Sequence, residues 1–134
     1  MKSIELIKRH EGLRLKPYKD SEGILTVGYG HNLERSITQE MADKLLEDDM
    51  SDVYEDCHKF KWYEDLNHPR QAVIENMIFN LGINRFSKFK KTINYIELEQ
   101  YENAAEEMLR SRWSQQVGNR AVELAEMMSS GEWL

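Results

Sequence analysis

Glu11, Asp20 and Thr26 stand nine and six residues apart in the stretch RHEGLRLKPYKDSEGILTVGYGH, residues 9–31. Cleaving a glycosidic bond takes one carboxylic acid that keeps its proton and delivers it to the leaving oxygen. It also takes a second, ionised carboxylate that activates water or attacks the anomeric carbon. The environment must keep the two carboxyl groups in different protonation states. Glu11, at the end of an expected helix, suits the first role, and Asp20, in a polar turn, suits the second. The Thr26 hydroxyl would hold the attacking water. Taken singly, each residue also has a plainer reading, as helix-end acid, turn former and strand former. With 24 acidic residues in 134, spacing alone does not decide between the readings.

The elements that must position these groups are legible from periodicity. A short amphipathic helix is expected first, with Ser3 as N-cap, Ile4 and Ile7 facing inward, and Gly12 as its stop. Leu13–Tyr18 is expected to pair with residues 24–30 as a hairpin turning at Ser21-Glu22-Gly23. Pro17 would lie towards an edge and Asp20 at the hairpin end. From Thr38, a capping residue, Met41, Leu45, Leu46, Val53 and Cys57 follow helical spacing over about 20 residues, or ~30 Å. Asn67-His68-Pro69 opens a helix whose apolar residues (Val73, Ile74, Met77, Ile78, Leu81) surround much of its circumference, as in a buried central helix. Smaller helices are expected at about 88–98, 101–110 and 120–129. Trp62, Trp113 and Trp133 are expected in packing. The sum is an α+β fold: a small hairpin-containing lobe (12–37), a connecting helix (38–58), and a helical lobe (1–11 with 59–134), with a cleft between the lobes.

Composition bounds the function. The net charge is −6, but residues 40–56 alone carry eight acids against Lys44, so the rest of the chain sums to about +1. Residues 82–94 carry Arg85, Lys88, Lys90 and Lys91 with no acid, and residues 1–19 carry six basic side chains against two acids. A basic rim facing an anionic polymer fits this distribution. A nucleic-acid partner does not, because the chain is acidic overall and its basic segments lack interleaved aromatics. No apolar run reaches the ~18 residues of a membrane span, so no membrane insertion is expected. No signal peptide is expected from the N-terminal residues, which lack an apolar stretch and a small-residue cleavage site. One cysteine, Cys57, excludes an internal disulfide, and no His spacing suggests a metal; no cofactor is expected.

The wider pattern is more specific. Glu-Gly-Leu-Arg-Leu, Pro-Tyr-Lys-Asp and Gly-x-x-Thr-x-Gly-Tyr-Gly-His closely resemble the T-even phage lysozyme family, glycoside hydrolase family 24. The run Asn76-Met77-Ile78-Phe79-Asn80-Leu81-Gly82 extends the resemblance, as do Ser111-Arg112-Trp113, Asn119-Arg120-Ala121 and Gly131-Glu132-Trp133. The resemblance implies a muramidase that cleaves the β-1,4 bond between N-acetylmuramic acid and N-acetylglucosamine in peptidoglycan. It implies inversion, with Glu11 as acid and Asp20 and Thr26 steering water. Asn32, Phe79, Asn80 and Thr92 match its substrate-contacting positions, although Asn32, like Glu107, departs from the family's residue type. Structural support is expected from His31 paired with Asp49, from Arg112 reaching Glu22, and from Arg120 approaching Glu11. Only six residues separate His31 from Thr38, so the longer members' extra material is missing there. The implied setting is a monomeric phage endolysin, made in the host cytoplasm and dependent on a holin or similar pore to reach the periplasmic wall. A virion-associated or wall-remodelling lysozyme, a transglycosylase and an inactive peptidoglycan-binding module are the alternatives.

Overall fold

A computed structural model of the chain describes residues 2–134. It is mostly helical with one small antiparallel sheet, the expected α+β class, and it forms two compact units that divide after Lys44.

The first unit opens with α1 (Lys2–Glu11), so Ser3 lies inside the helix rather than capping it. Gly12 ends α1 at φ +73°, donating its N–H to the Lys8 carbonyl at 2.9 Å. Strands β1 (Arg14–Lys19), β2 (Leu25–Gly28) and β3 (His31–Asn32) follow in the order β1-β2-β3. Tyr18 lies opposite Thr26 and Lys19 opposite Leu25. The β1–β2 register is irregular between Arg14 and Tyr18, where Pro17 falls. Proline cannot donate to a ladder, and β1 is an edge strand, as its position requires. The two-residue β3 was not expected; it pairs Val27 with His31 and Thr26 with Asn32.

Helix α2 (Gln39–Cys57) begins in the first unit, where Thr38 Oγ1 accepts the Met41 N–H at 3.2 Å as its cap. Helix α1 falls in the same unit as the sheet. Contacts tie it there: Lys8 Nζ lies 5.3 Å from the centre of the Tyr29 ring. Ile4 and Ile7, expected to face inward, are each about half exposed.

In the second unit, α3 (His68–Leu81) is capped by Asn67, whose side chain accepts the Arg70 N–H, and Pro69 occupies its first turn, where no N–H is needed. Short α4 (Ile83–Phe86) follows Gly82, then α5 (Lys90–Glu97), α6 (Tyr101–Arg110), α7 (Arg112–Val117) and α8 (Asn119–Ser130). Helices α4 and α7 were not expected from the sequence, because each is too short to show a period. The core is built from Val73, Ile74, Met77 and Ile78 of α3 with Phe86, Ile96, Met108, Trp113, Leu124 and Met128. Arg70 closes the C-terminal end: its guanidinium donates to the carbonyls of Met128 and Ser129 and lies over the Tyr101 ring. Trp113 is buried and Trp62 packs against the core, but Trp133 is 64% exposed, contrary to its expected packing. Gly131 ends α8 in the left-handed region, and Trp133 lies beyond that break.

Candidate functional site

Asp20 and Thr26 are joined through the backbone N–H and C=O of one residue, Ile24. Asp20 Oδ1 accepts the N–H groups of Glu22 and Ile24 at 2.8 and 2.9 Å. The Ile24 carbonyl accepts the Asp20 N–H at 2.9 Å and the Thr26 hydroxyl at 2.8 Å. A side chain bonding amides two and four residues ahead needs a tight turn, and Gly23 supplies it at φ +79°. Two consequences follow for chemistry. The Thr26 hydroxyl spends its proton on Ile24, so its lone pairs are left to accept a hydrogen from water. Among the described residues no donor holds Asp20 Oδ2, which is left to accept a second. Thr26 is 3% exposed, the one buried residue among those described before Leu45.

Glu11 is the last residue of α1 and is exposed. Its carboxylate lies against Gly30, where an added Cβ would come within 2.7 Å of Oε2. Gly30, at φ +75°, therefore does two things: it makes the turn into β3 and leaves room for the acid. Asn32, opposite Thr26 on β3, uses its Oδ1 locally to accept the Glu34 N–H at 2.8 Å. His31 and Glu22 are both exposed.

The remaining expected residues stand in the second unit. Phe79, 43% exposed on α3, lines a groove of about 360 Å³ with Leu46, Met50, Ala72, Glu75, Asn76 and Arg120. Arg120 is held there by the Asn76 side-chain oxygen, 2.8 Å from Nε. Asn80 Oδ1 accepts the Trp113 indole N–H at 2.8 Å, which fixes the amide with its NH2 group free to donate. Thr92, placed by resemblance among the sugar contacts, is only 2% exposed. It lines a second groove, of about 590 Å³, together with Arg112. Asp49 is exposed on α2, and Glu107 is engaged by Arg110 at 3.0 Å. The expected pairs His31–Asp49, Glu22–Arg112 and Glu11–Arg120 each join a residue of one unit to a residue of the other.

Sequence reasoning missed Ile24, Asn76 and the positioning role of Trp113. Ile24 acts through its backbone N–H and C=O, which nearly every residue possesses, so its type carried no signal. Asn76 and Trp113 were part of the recognised motifs, but their hydrogen bonds span 44 and 33 residues. Among the described residues no three His, Cys, Asp or Glu side chains gather as a metal site, and no helix is long and apolar enough to cross a membrane.

Comparison with known proteins adds the following. Residues 8–127 match the model of a family described as phage lysozyme. The chain is 27% identical over 158 aligned positions to a probable T4-type lysozyme 1 of Dictyostelium discoideum, covering 95% of this chain and 93% of that one. It is 33% identical over 115 positions to an endolysin of Salmonella phage P22, covering 79% and 77%. A third match, at 29% identity, covers 98% of this chain but 28% of a pre-baseplate central spike protein of Enterobacteria phage T4.

Proposed function

The chain belongs to the phage lysozyme family, a glycoside hydrolase of muramidase type that degrades peptidoglycan, and from that premise we propose the residues and steps of its reaction. Glu11 is the general acid and protonates the glycosidic oxygen between N-acetylmuramic acid and N-acetylglucosamine. Asp20 Oδ2 and the Thr26 hydroxyl hold a water on the opposite face of the sugar, and the Asp20 carboxylate takes its proton as it attacks. The products then carry the inverted, α configuration at the new reducing end. The observation that carries this reading is the Ile24 backbone, which fixes Asp20 and Thr26 to one another and commits the threonine proton away from the water. Phe79, Asn80 and Asn32 contact the glycan.

In its setting the enzyme is an endolysin: a monomer made in the host cytoplasm, acting on the periplasmic wall once a holin or similar pore has opened the membrane. The likeness to a phage spike protein favours a second reading, a particle-borne lysozyme, which detection of the chain in purified particles would establish.

The test compares wild type with Glu11→Gln on outer-membrane-permeabilised Gram-negative cells, reading turbidity, fragment masses and product anomer. Glu11→Gln should lower the rate by roughly 10²–10⁴-fold, the usual contribution of a general acid. Wild type should release reducing N-acetylmuramic ends as the α-anomer. Early β-anomer, anhydro-sugar ends, or full activity in the variant would each overturn the assignment.

A further inference from the structure

The peptide unit between Ile24 and Leu25 is held from both sides. Its carbonyl accepts the Asp20 N–H at 2.9 Å and the Thr26 hydroxyl at 2.8 Å, so both oxygen lone pairs are used. Its N–H, on the other side, donates to Glu34 Oε2 at 3.2 Å. A carboxylate that accepts an amide hydrogen pushes electron density onto the carbonyl oxygen of the same unit, which then accepts more strongly. Glu34 thus acts on the oxygen that takes the Thr26 proton.

The segment carrying Glu34 is folded for this reach. Strand β3 returns beside β2, with Asn32 opposite Thr26. The Leu33 N–H donates to the Leu25 carbonyl at 2.9 Å, so Leu25 is bound through both its backbone groups. The Asn32 side chain accepts the Glu34 N–H at 2.8 Å, an Asx turn that bends Glu34 back towards Leu25. Glu34 is exposed. An exposed carboxylate orders its side chain only where a partner offsets the lost freedom, and here that partner is the Leu25 amide.

We propose that Glu34 is a positioning residue for hydrolysis. It fixes and polarises the Ile24–Leu25 peptide, which keeps the Thr26 proton on Ile24 and the threonine lone pairs turned to the attacking water. Without it the hydroxyl is freer to rotate and donate to the water, which engages the lone pair needed for attack. The role rests on the reading of Asp20 and Thr26 as the water-holding pair, and Glu34 acts on that pair through the backbone.

Steady-state kinetics on soluble murein glycan fragments test this, with Glu34→Ala, Glu34→Gln and Thr26→Val beside wild type. Glu34→Ala should lower kcat roughly three- to tenfold, the worth of one hydrogen bond, and leave KM within about twofold. Glu34→Gln keeps an oxygen acceptor and should fall between Ala and wild type. In amide-correlation NMR spectra the Leu25 amide proton should move upfield in Glu34→Ala, as loss of its hydrogen bond requires. Thermal melts set an assay temperature at which every variant is folded. A purely structural role would lower the melting temperature and leave kcat unchanged. That result, an unmoved Leu25 amide, or a Gln variant no better than Ala would each overturn the proposal. Thr26→Val separates the two levels. Full kcat in that variant would sink the water-holding reading and Glu34 with it, whereas a slow Thr26→Val beside an unaffected Glu34→Ala would remove only the role of Glu34.

Discussion

The two units are stabilised in different ways. All twenty buried hydrophobic residues among those described lie at or after Val53, while the residues described before Leu45 contribute one buried side chain, the polar Thr26. The second unit is a packed core. The first is held by backbone chemistry: a capping carboxylate in the Asp20 turn, a three-stranded ladder, and glycines at positive φ. The proposed catalytic groups are all in the second kind of structure. Hydrogen bonds at a turn fix atoms to a few tenths of an ångström with few side chains, so a reactive site can be positioned without being buried.

The sharpest way to break this contrast is a core truncation. Phe86 is fully buried and packs against Phe60, Phe89 and Trp62. Phe86→Ala should destabilise the protein by about 3–5 kcal/mol, read by denaturant melts. A loss below about 1 kcal/mol would mean that the second unit is not the stabilising core.

Alkaline titration should act on the same unit. Burial, then the charges of Glu75 and Asp56, push the Cys57 thiol from 9.0 up to about 12, with a Tyr63 hydrogen bond opposing them. Burial and the Glu75 hydrogen bond, 2.5 Å long, push Tyr63 up as well. Both groups bind their protons more tightly when folded. Their contribution is therefore complete below the unfolded values, near 9 for Cys57 and 10 for Tyr63. For Cys57 it is lost as pH rises towards about 12. Over that window stability should fall by on the order of 2–4 kcal/mol from Cys57. Cys57→Val should flatten the decline, and an identical decline in the variant would remove Cys57 as its source.

Gly30→Ala probes the other kind of structure. Its Cβ would meet the movable Glu11 carboxylate, at a backbone angle that only glycine tolerates well. Stability should drop by about 1 kcal/mol, while displacement of the acid lowers activity by roughly 10- to 10²-fold. Unchanged lysis would show that Glu11 does not need this place. Smallest of all should be Leu15→Ala, on the edge strand and 81% exposed. A change within about 0.5 kcal/mol is expected, and a larger one would reveal apolar packing in the first unit.

Much of this was legible in the chain. The α3 pattern from Val73 to Leu81 encoded a buried helix because apolar residues surround it, and Asn67 and Gly82 marked its ends. The hairpin was legible from the Ser21–Gly23 turn and the alternation after it. Resemblance, more than spacing, picked Glu11, Asp20 and Thr26 from 24 acids and the hydroxyls around them. Helices α4 and α7 were not legible, since four and six residues do not establish a period. Nor was the exposure of Ile4 and Ile7, because an amphipathic pattern says that one face is apolar, not what covers it.

By itself, then, the sequence determined the element types, the ends of the long helices and the family to which the chain belongs, because propensity, capping and periodicity act over a few residues. Tertiary structure alone decided that the Ile24 backbone links Asp20 to Thr26, that Gly30 makes room for Glu11, and that Trp113 fixes Asn80. It also decided that the Glu34 carboxylate reaches the Leu25 N–H. Each of these depends on where the folded backbone places atoms, and residue types alone do not carry that distance.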